Sequence, residues 1–308
     1  MSERSYCNKT VIAEHLKNPS NYIVVAGPCS IQSTTTARLI SDKLLDIQAR
    51  MPKECLIVMR AYLDKPRTAT GWRGLLYSNP LCAAMALHDS AKRMPIAIEA
   101  VDYAALELLC ENGLDDVASL VAIGARTSES QSHRVYASSM RCAVGIKNPV
   151  DYNVDALLNG LNAVNTPWEY ITDSLEVKKT KGKPALSIGI LRGGRGQSAA
   201  RPLSISSLNS AAARCINYPM LVDVSHDNAK AYSENPAHGQ SNAMDALIHA
   251  LTNASHLKAS IKGFMAEMHM EEGKTSDMNQ NTKSVTDYCM NPDLLEAMIL
   301  RWDAAYRA

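Results

Sequence analysis

The sequence predicts a single α/β domain whose core is a closed (β/α)8 TIM barrel. Eight short apolar runs recur along the chain, and segments with helical spacing lie between several of them. This alternation is typical of parallel strands joined by crossover helices. The 308 residues also leave a margin beyond the ~250 residues of a typical barrel. An open, doubly wound sheet is the alternative, and it is disfavoured because no GxGxxG follows the first run.

The predicted strands are apolar runs that each finish near a polar residue. They cover 21–30, 55–65, 95–100, 119–126, 142–148, 186–194, 220–226 and 261–269. The predicted helices, which have helical spacing of apolar residues, cover 34–50, 103–113, 154–164 and 242–254. The pattern of residues 168–190 predicts an inserted β-hairpin before the sixth strand, with its turn near 181–183. Residues 1–20 are expected to form a short N-terminal extension, and the chain, 1–308, is expected to be one domain.

Composition and charge narrow the possible functions. Hydrophobic residues make up 46% of the chain and charged residues 20%, which predicts a large core and little disorder. A net charge of +1 gives no electrostatic footprint for nucleic acid or a membrane surface. The sequence lacks both the apolar stretch of a signal peptide and the ~20 apolar residues of a membrane span. The eight cysteines are scattered without a CxxC pair, so we expect reduced thiols and a cytoplasmic protein.

Every predicted strand ends on a residue capable of chemistry. These residues are Cys29, Arg60 with Lys65, Glu99, Arg126, Lys147, Arg192, His226 and Glu267. In barrels of this class the carboxyl ends of the strands form the rim of the active site. A polar residue at one strand end is commonly just solvated. The same coincidence on all eight strands indicates one shared site.

Six cations belong to this rim. They are Arg60, Lys65, Arg67, Arg126, Lys147 and Arg192. Around one cavity they would repel each other without an anion, and they suit phosphate and carboxylate groups. A surface ion pair is the commoner role for any single arginine. The set as a whole indicates a substrate with more than one anionic group.

A second group combines sulfur, nitrogen and oxygen donors. Its members are Cys29, His226 and Glu267, with Asp287 as a candidate fourth. This donor set describes a divalent first-row metal site, and a thiolate favours Mn, Fe, Co or Zn over Mg²⁺. Taken singly, Cys29 is more often a small buried hydrophobe and His226 a core histidine. Glu99 is a candidate general acid or base, or a partner for the cations.

Nine short motifs run along nearly the whole chain. They are AGPCSI (26–31), VMRAYLDKPRT (58–68), GWRGL (71–75), AIGARTSESQSHR (122–134), GIKN (145–148), ILRGG (190–194), DVSHDN (223–228), EMHMEEG (267–273) and KSVTD (283–287). In content and order they resemble the alpha subclass of the type I 3-deoxy-D-arabino-heptulosonate 7-phosphate (DAHP) synthases. KPRT combined with GART-ESQ-HR is the most specific part. The chain resembles a shortened, divergent member, and the resemblance implies a (β/α)8 barrel.

The resemblance implies a metal-dependent condensation of phosphoenolpyruvate with erythrose 4-phosphate. The products are DAHP and phosphate, and the reaction opens the shikimate pathway to the aromatic amino acids. As a hypothesis, the metal polarises the aldehyde oxygen and carbon 3 of phosphoenolpyruvate attacks the aldehyde carbon. Water then adds at carbon 2, and the hemiketal phosphate collapses to a keto acid. The cations stabilise the charge that develops on the phosphate, and Lys65 is the expected proton donor or relay.

Roles for individual residues follow from the same resemblance. Arg126 and Arg192, with Ala125 in the same motif, would hold the phosphate of phosphoenolpyruvate. Arg60, Lys65 and Lys147 would surround its carboxylate, and Glu99 would stand at the same site. Arg67 and Thr68 would bind the phosphate of the sugar. The expected catalytic residues are Lys65, Lys147, Arg126 and Glu99, and the expected metal ligands are Cys29, His226, Glu267 and Asp287, with Mn²⁺ the expected metal in vitro.

Several positions near these motifs depart from the family pattern. They are Pro149, Val150, Asp227, Met268, Tyr288, Asn291 and Pro292. We expect these changes to reshape the aldehyde pocket. One alternative therefore keeps the chemistry but uses another (phospho)aldehyde acceptor in specialised metabolism; 3-deoxy-octulosonate 8-phosphate synthesis fits the alpha-subclass motifs less well. A non-enzymatic alternative is a catalytically degenerate regulatory or binding barrel.

Assembly and regulation are also implied only by the resemblance. It implies a homodimer or homotetramer, with no nucleic-acid or membrane partner. The segment ahead of the first strand is shorter than is usual in the subclass. Arg141 replaces a small residue where an aromatic amino-acid inhibitor would lie. We therefore expect weak or absent feedback inhibition by Phe, Tyr or Trp.

Overall fold

A computed structural model describes most of the chain. The described residues are 9–67, 70–102, 117–171, 174–195, 203–233 and 236–308. The predicted helix 103–113, Thr68 and residues 1–8 of the predicted extension lie outside them.

Eight parallel strands close into a barrel, which confirms the predicted fold class. The strands of the described residues are β1 Tyr22–Gly27, β2 Cys55–Arg60, β3 Ile96–Ala100, β4 Leu120–Ile123, β5 Ala143–Lys147, β6 Glu169–Ile171, β7 Val177–Lys179, β8 Leu186–Leu191, β9 Met220–Asp223 and β10 Ile261–Glu267. All but β6 and β7 belong to the barrel, which closes because β1 pairs with both β2 and β10. Each barrel strand lies inside one of the eight predicted runs.

Helices surround the barrel. Those in the described residues are α1 Val11–His15, α2 Thr34–Gln48, α3 Leu75–Ser78, α4 Pro80–Ala91, α5 Gln131–Ala137, α6 Val154–Val164, α7 Ile205–Arg214, α8 His226–Tyr232, α9 Pro236–Asn253, α10 Pro292–Arg307 and a 3₁₀ helix, Ser255–Ala259. The side chains of Ser33 and Asn153 cap α2 and α6, which agree with the predicted helices 34–50 and 154–164. Helix α9 begins earlier than predicted. No helix of the described residues is long and apolar enough to cross a membrane.

Apolar side chains fill both faces of the barrel wall. Ile23, Val25 and Val58 belong to a buried cluster inside the barrel. The intervening side chains, such as Val24, pack outward in the larger cluster that includes the helices. Burial on both faces explains why the strands read as continuous apolar runs. Ile12 of α1 joins the inner cluster, and His15 contacts the backbone at the amino ends of β1 and β2, so α1 covers that end of the barrel.

The predicted hairpin is present, but its turn was placed wrongly. Strands β6 and β7 are antiparallel and pair Glu169 with Lys179, so their connection lies between 171 and 177. Gly182 instead follows β7 and has a φ of +62°. A Cβ there would lie 2.2 Å from the carbonyl carbon of Thr166. This glycine therefore permits a close approach of two chain segments, and the Lys-Gly-Lys sequence only resembled a hairpin turn.

Candidate active site

A cavity of about 730 Å³ is lined by residues at the carboxyl ends of the barrel strands. Its volume is in the range of small-molecule sites. The predicted site residues that line it are Cys29, Arg60, Lys65, Arg67, Glu99, Ala125, Arg126, Lys147, Arg192, His226, Glu267 and Asp287. Thr68 is the one predicted site residue that lies outside the described residues. The structure thus brings the rest of the predicted set to one cavity.

Four donor groups converge on one side of this cavity. Ligand atoms of Cys29, Glu267 and Asp287 all lie within 4.8 Å of one another. His226 lies beside them, with its Nε2 atom 3.3 Å from Oε1 of Glu267. Cys29 follows β1, Glu267 ends β10 and His226 begins α8. Asp287 comes from the loop after β10, which folds back through bridges such as the one that pairs Met268 with Met290.

Neighbouring groups orient His226. The hydroxyl of Ser225 donates to Oδ1 of Asp223, so its oxygen accepts the proton of His226 Nδ1, 2.8 Å away. Oδ2 of Asp223 lies 3.0 Å from the same Nδ1. In the neutral imidazole this arrangement would leave the lone pair on Nε2, the atom that lies 3.3 Å from Oε1 of Glu267. Histidine ligands of metals commonly have such a partner on the other ring nitrogen. His226 also has a φ of +54°, a backbone conformation that is uncommon for residues other than glycine.

Positive side chains already compensate the donor cluster. Lys65 Nζ lies 2.6 Å from Cys29 Sγ and 2.7 Å from Asp287 Oδ2. Burial would lower the pKa of Lys65, but the surrounding negative groups raise it above its usual value. Burial opposes the charged form of Asp287, but Lys65, His226 and Cys29 together outweigh it and hold its pKa below the usual range. Burial, reinforced by the charge of Glu267, raises the pKa of the Cys29 thiol to about 12.

The donor cluster fits a divalent metal ion. Sulfur, imidazole nitrogen and two carboxylates form a donor set suited to a first-row transition metal or zinc. The high pKa of Cys29 means that a cation must compete with a proton for the thiolate. Arg60, which is fully buried, holds Glu267 in place through an ion pair of 3.0 Å. The Arg60 guanidinium also lies 4.0 Å from the centre of the Tyr62 ring, so packing fixes its position.

The other side of the cavity is cationic. Arg126, Lys147 and Arg192 line it as predicted, and the structure adds Arg195 and Lys230. Burial together with the charges of Arg195 and Arg192 lowers the pKa of the Arg126 guanidinium. Facing cations of this kind form a site for anions, and guanidinium groups suit phosphate. Arg195 and Lys230 were not predicted from the sequence, because neither stands at a strand end.

Lys147 belongs to both sides of the cavity. It ends β5, is 4% exposed, and lies 3.4 Å from Oδ2 of Asp223. Burial opposes the charged form of Asp223, but His226 and Lys147 outweigh it and hold its pKa well below the usual range. Asp223 therefore couples the ammonium of Lys147 to the imidazole of His226.

Asp227 contacts three of the cations at the rim. In the sequence this residue stands out only as a departure from the family pattern. Its carboxylate forms an ion pair with Arg192 and lies 3.4 Å from Arg195 Nε and 3.2 Å from Lys230 Nζ. Burial alone would raise its pKa, but these cations hold it below the usual value.

Two buried carboxamides hold the backbone at the rim. Asn148 donates to the carbonyl of Arg192 and accepts from its N–H, at 3.1 and 2.7 Å. Gln240 of α9 makes the same pair of contacts with Glu267, both at 2.9 Å. Asn148 lies in the motif GIKN, so a sequence signal existed for it. Gln240 lies within a helix and gave none.

Glu99 and Arg67 are each placed by a glycine. A Cβ on Gly124 would lie 2.4 Å from Oε1 of Glu99, so the glycine makes room for that carboxylate. Arg67 donates through Nε to the carbonyl of Trp72 at 2.8 Å. A Cβ on Gly71 would lie 3.2 Å from the same Nε. These contacts fix both side chains in the lining of the cavity.

Comparisons with known proteins agree with this arrangement. The profile of the DAHP synthetase I family matches residues 15–298. The Phe-sensitive phospho-2-dehydro-3-deoxyheptonate aldolase of Escherichia coli strain K12 is 29% identical, over 94% of this chain and 85% of its own length. The Trp-sensitive enzyme of the same name from Buchnera aphidicola is 30% identical, over 87% of this chain and 79% of its own.

A solved structure supports the same assignment. The phospho-2-dehydro-3-deoxyheptonate aldolase of Francisella tularensis SCHU S4 superposes with a TM-score of 0.83 at 25% identity, covering 99% of this chain and 93% of that one. The family profile, the curated relatives and this structure therefore agree across almost the whole sequence. The family predicted from the motifs is confirmed: the chain belongs to the DAHP synthetase I family.

Proposed function

We propose that this cavity condenses phosphoenolpyruvate with erythrose 4-phosphate to give DAHP and inorganic phosphate. The observation that carries the proposal is the meeting, in one cavity, of a mixed sulfur, nitrogen and oxygen donor cluster with a separate group of cations. The cations suit the phosphate and carboxylate of phosphoenolpyruvate, and the donor cluster suits a metal ion that would polarise the aldehyde. The reaction needs these two environments side by side. The curated relatives bear the name of the same enzyme, which supports the predicted enzyme class, a DAHP synthase.

In this proposal the cations bind the two anionic groups of phosphoenolpyruvate. Arg126 and Arg192 take its phosphate, as the family resemblance implies; both line the cavity, and Arg192 is close enough for its charge to lower the pKa of Arg126. Lys147 and Lys65 take its carboxylate, with Arg60 and Glu99 beside them. Arg67, held by Trp72, takes the phosphate of the sugar, with Thr68 of the same motif. Preorganised charges of this kind stabilise the negative charge that develops during the reaction.

Cys29, His226, Glu267 and Asp287 are the proposed metal ligands. A bound divalent ion of the Mn, Fe, Co or Zn type supplies Lewis-acid polarisation of the aldehyde carbonyl. Lys65, 2.6 Å from Cys29 and 2.7 Å from Asp287, holds a proton at the edge of this cluster. The surrounding negative groups raise its pKa and keep it an ammonium in the resting protein. Its position suits it to give a proton to the developing alkoxide, which is a stronger base than a lysine amine.

The first test is phosphate release by the purified protein with Mn²⁺ and both substrates. We expect release to require erythrose 4-phosphate and to stop when a chelator is added. Cys29→Ala should lower the Mn²⁺ bound per chain, measured by equilibrium dialysis. Cys215→Ala, at a buried cysteine outside the cavity lining, is the matched control and should bind as the parent does. Chelator-resistant release, or equal Mn²⁺ binding by both variants, would contradict the proposal.

A second candidate acceptor is favoured by Tyr288. This residue lines the cavity, and its hydroxyl donates to Oε1 of Glu272 at 2.7 Å, which holds the ring at the rim. A fixed aromatic ring there changes the shape available to the aldehyde. The alternative keeps the same chemistry with another phosphorylated aldehyde. It is favoured if a panel of aldehydes gives a kcat/KM at least about tenfold above that of erythrose 4-phosphate.

Location, assembly and regulation extend the proposal. We propose that the reaction takes place in the cytoplasm, because no disulfide links the six cysteines among the described residues, which suits a reducing compartment. We also propose a homodimer or homotetramer. Feedback inhibition by aromatic amino acids is proposed to be weak or absent, because the guanidinium of Arg141 stands in for a small residue at the expected inhibitor site.

A further inference from the structure

Asp227 places a negative charge inside the cationic side of the cavity. Its side chain is 9% exposed, and the carboxylate contacts Arg192, Arg195 and Lys230. Arg192 is itself only 5% exposed, so this pair is shielded from solvent. Arg195 and Lys230 are far more exposed, and they reach the carboxylate from the rim.

The backbone holds this carboxylate close to the arginines. Arg192 and Arg195 stand on the loop that follows β8, and Asp227 lies in the first turn of α8. A Cβ on Gly193 would lie 2.6 Å from the carbonyl carbon of Asp227 and 2.5 Å from the N–H nitrogen of Asn228. The loop and the helix therefore touch at their backbones. This backbone contact holds the carboxylate of Asp227 next to the guanidinium of Arg192.

A phosphate group and this carboxylate need the same donors. Both are anions that accept charge-assisted hydrogen bonds from guanidinium N–H groups. Nη2 of Arg192 already donates to Oδ2 of Asp227. An incoming phosphate must displace the carboxylate from Arg192 or bind beside it against a like charge. Either route weakens phosphate binding in proportion to the charge on Asp227.

We propose that Asp227 is an internal counter-ion of the phosphate subsite, which competes with the phosphate of the donor substrate and keeps its affinity low. This inference rests on the proposed function, in which Arg192 binds that phosphate. Asp227 is a positioning residue that acts through Arg192, Arg195 and Lys230. The same competition hastens the departure of inorganic phosphate after each turnover.

The test is calorimetric titration of the metal-free protein with inorganic phosphate and, separately, with phosphoenolpyruvate. Asp227→Asn keeps the shape and removes the charge, and we expect it to bind both ligands roughly tenfold more tightly, equal to about 1.4 kcal/mol. Asp227→Glu keeps the charge and should bind as weakly as the parent. Asp245→Asn removes an ion pair with Arg301, outside the cavity lining, and should change neither affinity.

Steady-state kinetics distinguish competition from a general structural role. In Asp227→Asn we expect the KM for phosphoenolpyruvate to fall while kcat does not rise. A variant that binds phosphate more weakly, or with unchanged affinity, would overturn the inference even if the parent enzyme is active. Failure of every folded variant and the parent to bind either ligand would overturn the inference together with the proposed phosphate subsite. Thermal melting of each variant establishes that it is folded.

Discussion

Arg126 is the residue whose removal separates binding from folding most cleanly. It is exposed at the rim, and burial together with the charges of Arg195 and Arg192 lowers the pKa of its guanidinium, so its charge is expected to contribute little to folding. Arg126→Ala should therefore lower kcat/KM at least about 100-fold, as the loss of a transition-state donor does. Its melting temperature should stay close to that of the parent.

Arg38→Ala is the matched control for this substitution. Arg38 lies on the outer helix α2, and its side chain is 78% exposed. Kinetics and thermal melts of both variants make the comparison. Normal turnover by Arg126→Ala, or equal losses in the two variants, would contradict the assignment of Arg126.

The buried carboxyl group of Asp64 should make the free energy of unfolding depend on pH, independently of the proposed metal ligands. Burial raises its pKa to about 6 from 3.8, because the charge of Arg73 offsets only part of the desolvation. The folded state therefore binds this proton more tightly than the unfolded chain. The stabilisation is fully present below pH 3.8 and is lost as the pH rises through about 6.

Asp64→Asn removes this pH-dependent loss, because the amide stays neutral. We expect the variant to gain on the order of 2 kcal/mol of unfolding free energy over the parent at pH 7, and much less at pH 4. Urea unfolding at the two pH values measures the gap. A gap of the same size at both would contradict the raised pKa.

At the scale of single elements, β10 is the strand most sensitive to a small change. Gly263 has a φ of +140°, and a Cβ there would lie 1.8 Å from the carbonyl oxygen of Ile23 in β1. Gly263→Ala should therefore disrupt the β1–β10 pairing that closes the barrel and cost at least about 3 kcal/mol. Chemical denaturation measures this loss.

Gly189 of β8 offers a matched glycine in the same barrel. A Cβ there meets the side chain of Met220 at 3.3 Å, and that flexible side chain can move. Gly189→Ala should cost far less than Gly263→Ala. Equal stabilities for the two variants would mean that the backbone contact between β1 and β10 does not limit the fold.

On the scale of the whole molecule, the parallel topology of the barrel determines which site residues can be predicted from the sequence. In a closed parallel barrel all strand ends meet at one rim, so assigning the strands was enough to gather Glu99, Lys147 and Glu267 in one cavity. The contacts of Asp227 with Arg192 and Arg195 could not be predicted, because they depend on how a loop and a helix approach each other. The hairpin turn was misplaced because Gly182 serves a close contact rather than a turn.

The central claim is that this cavity joins carbon 3 of phosphoenolpyruvate to the aldehyde carbon of erythrose 4-phosphate. Carbon-13 NMR of the purified protein with Mn²⁺, the sugar phosphate and phosphoenolpyruvate labelled at carbon 3 tests it most directly. We expect the label to move from the vinyl carbon to the methylene carbon of a seven-carbon keto acid, with equal release of phosphate. A label that stays in phosphoenolpyruvate, or appears only in the methyl group of pyruvate, would contradict the claim.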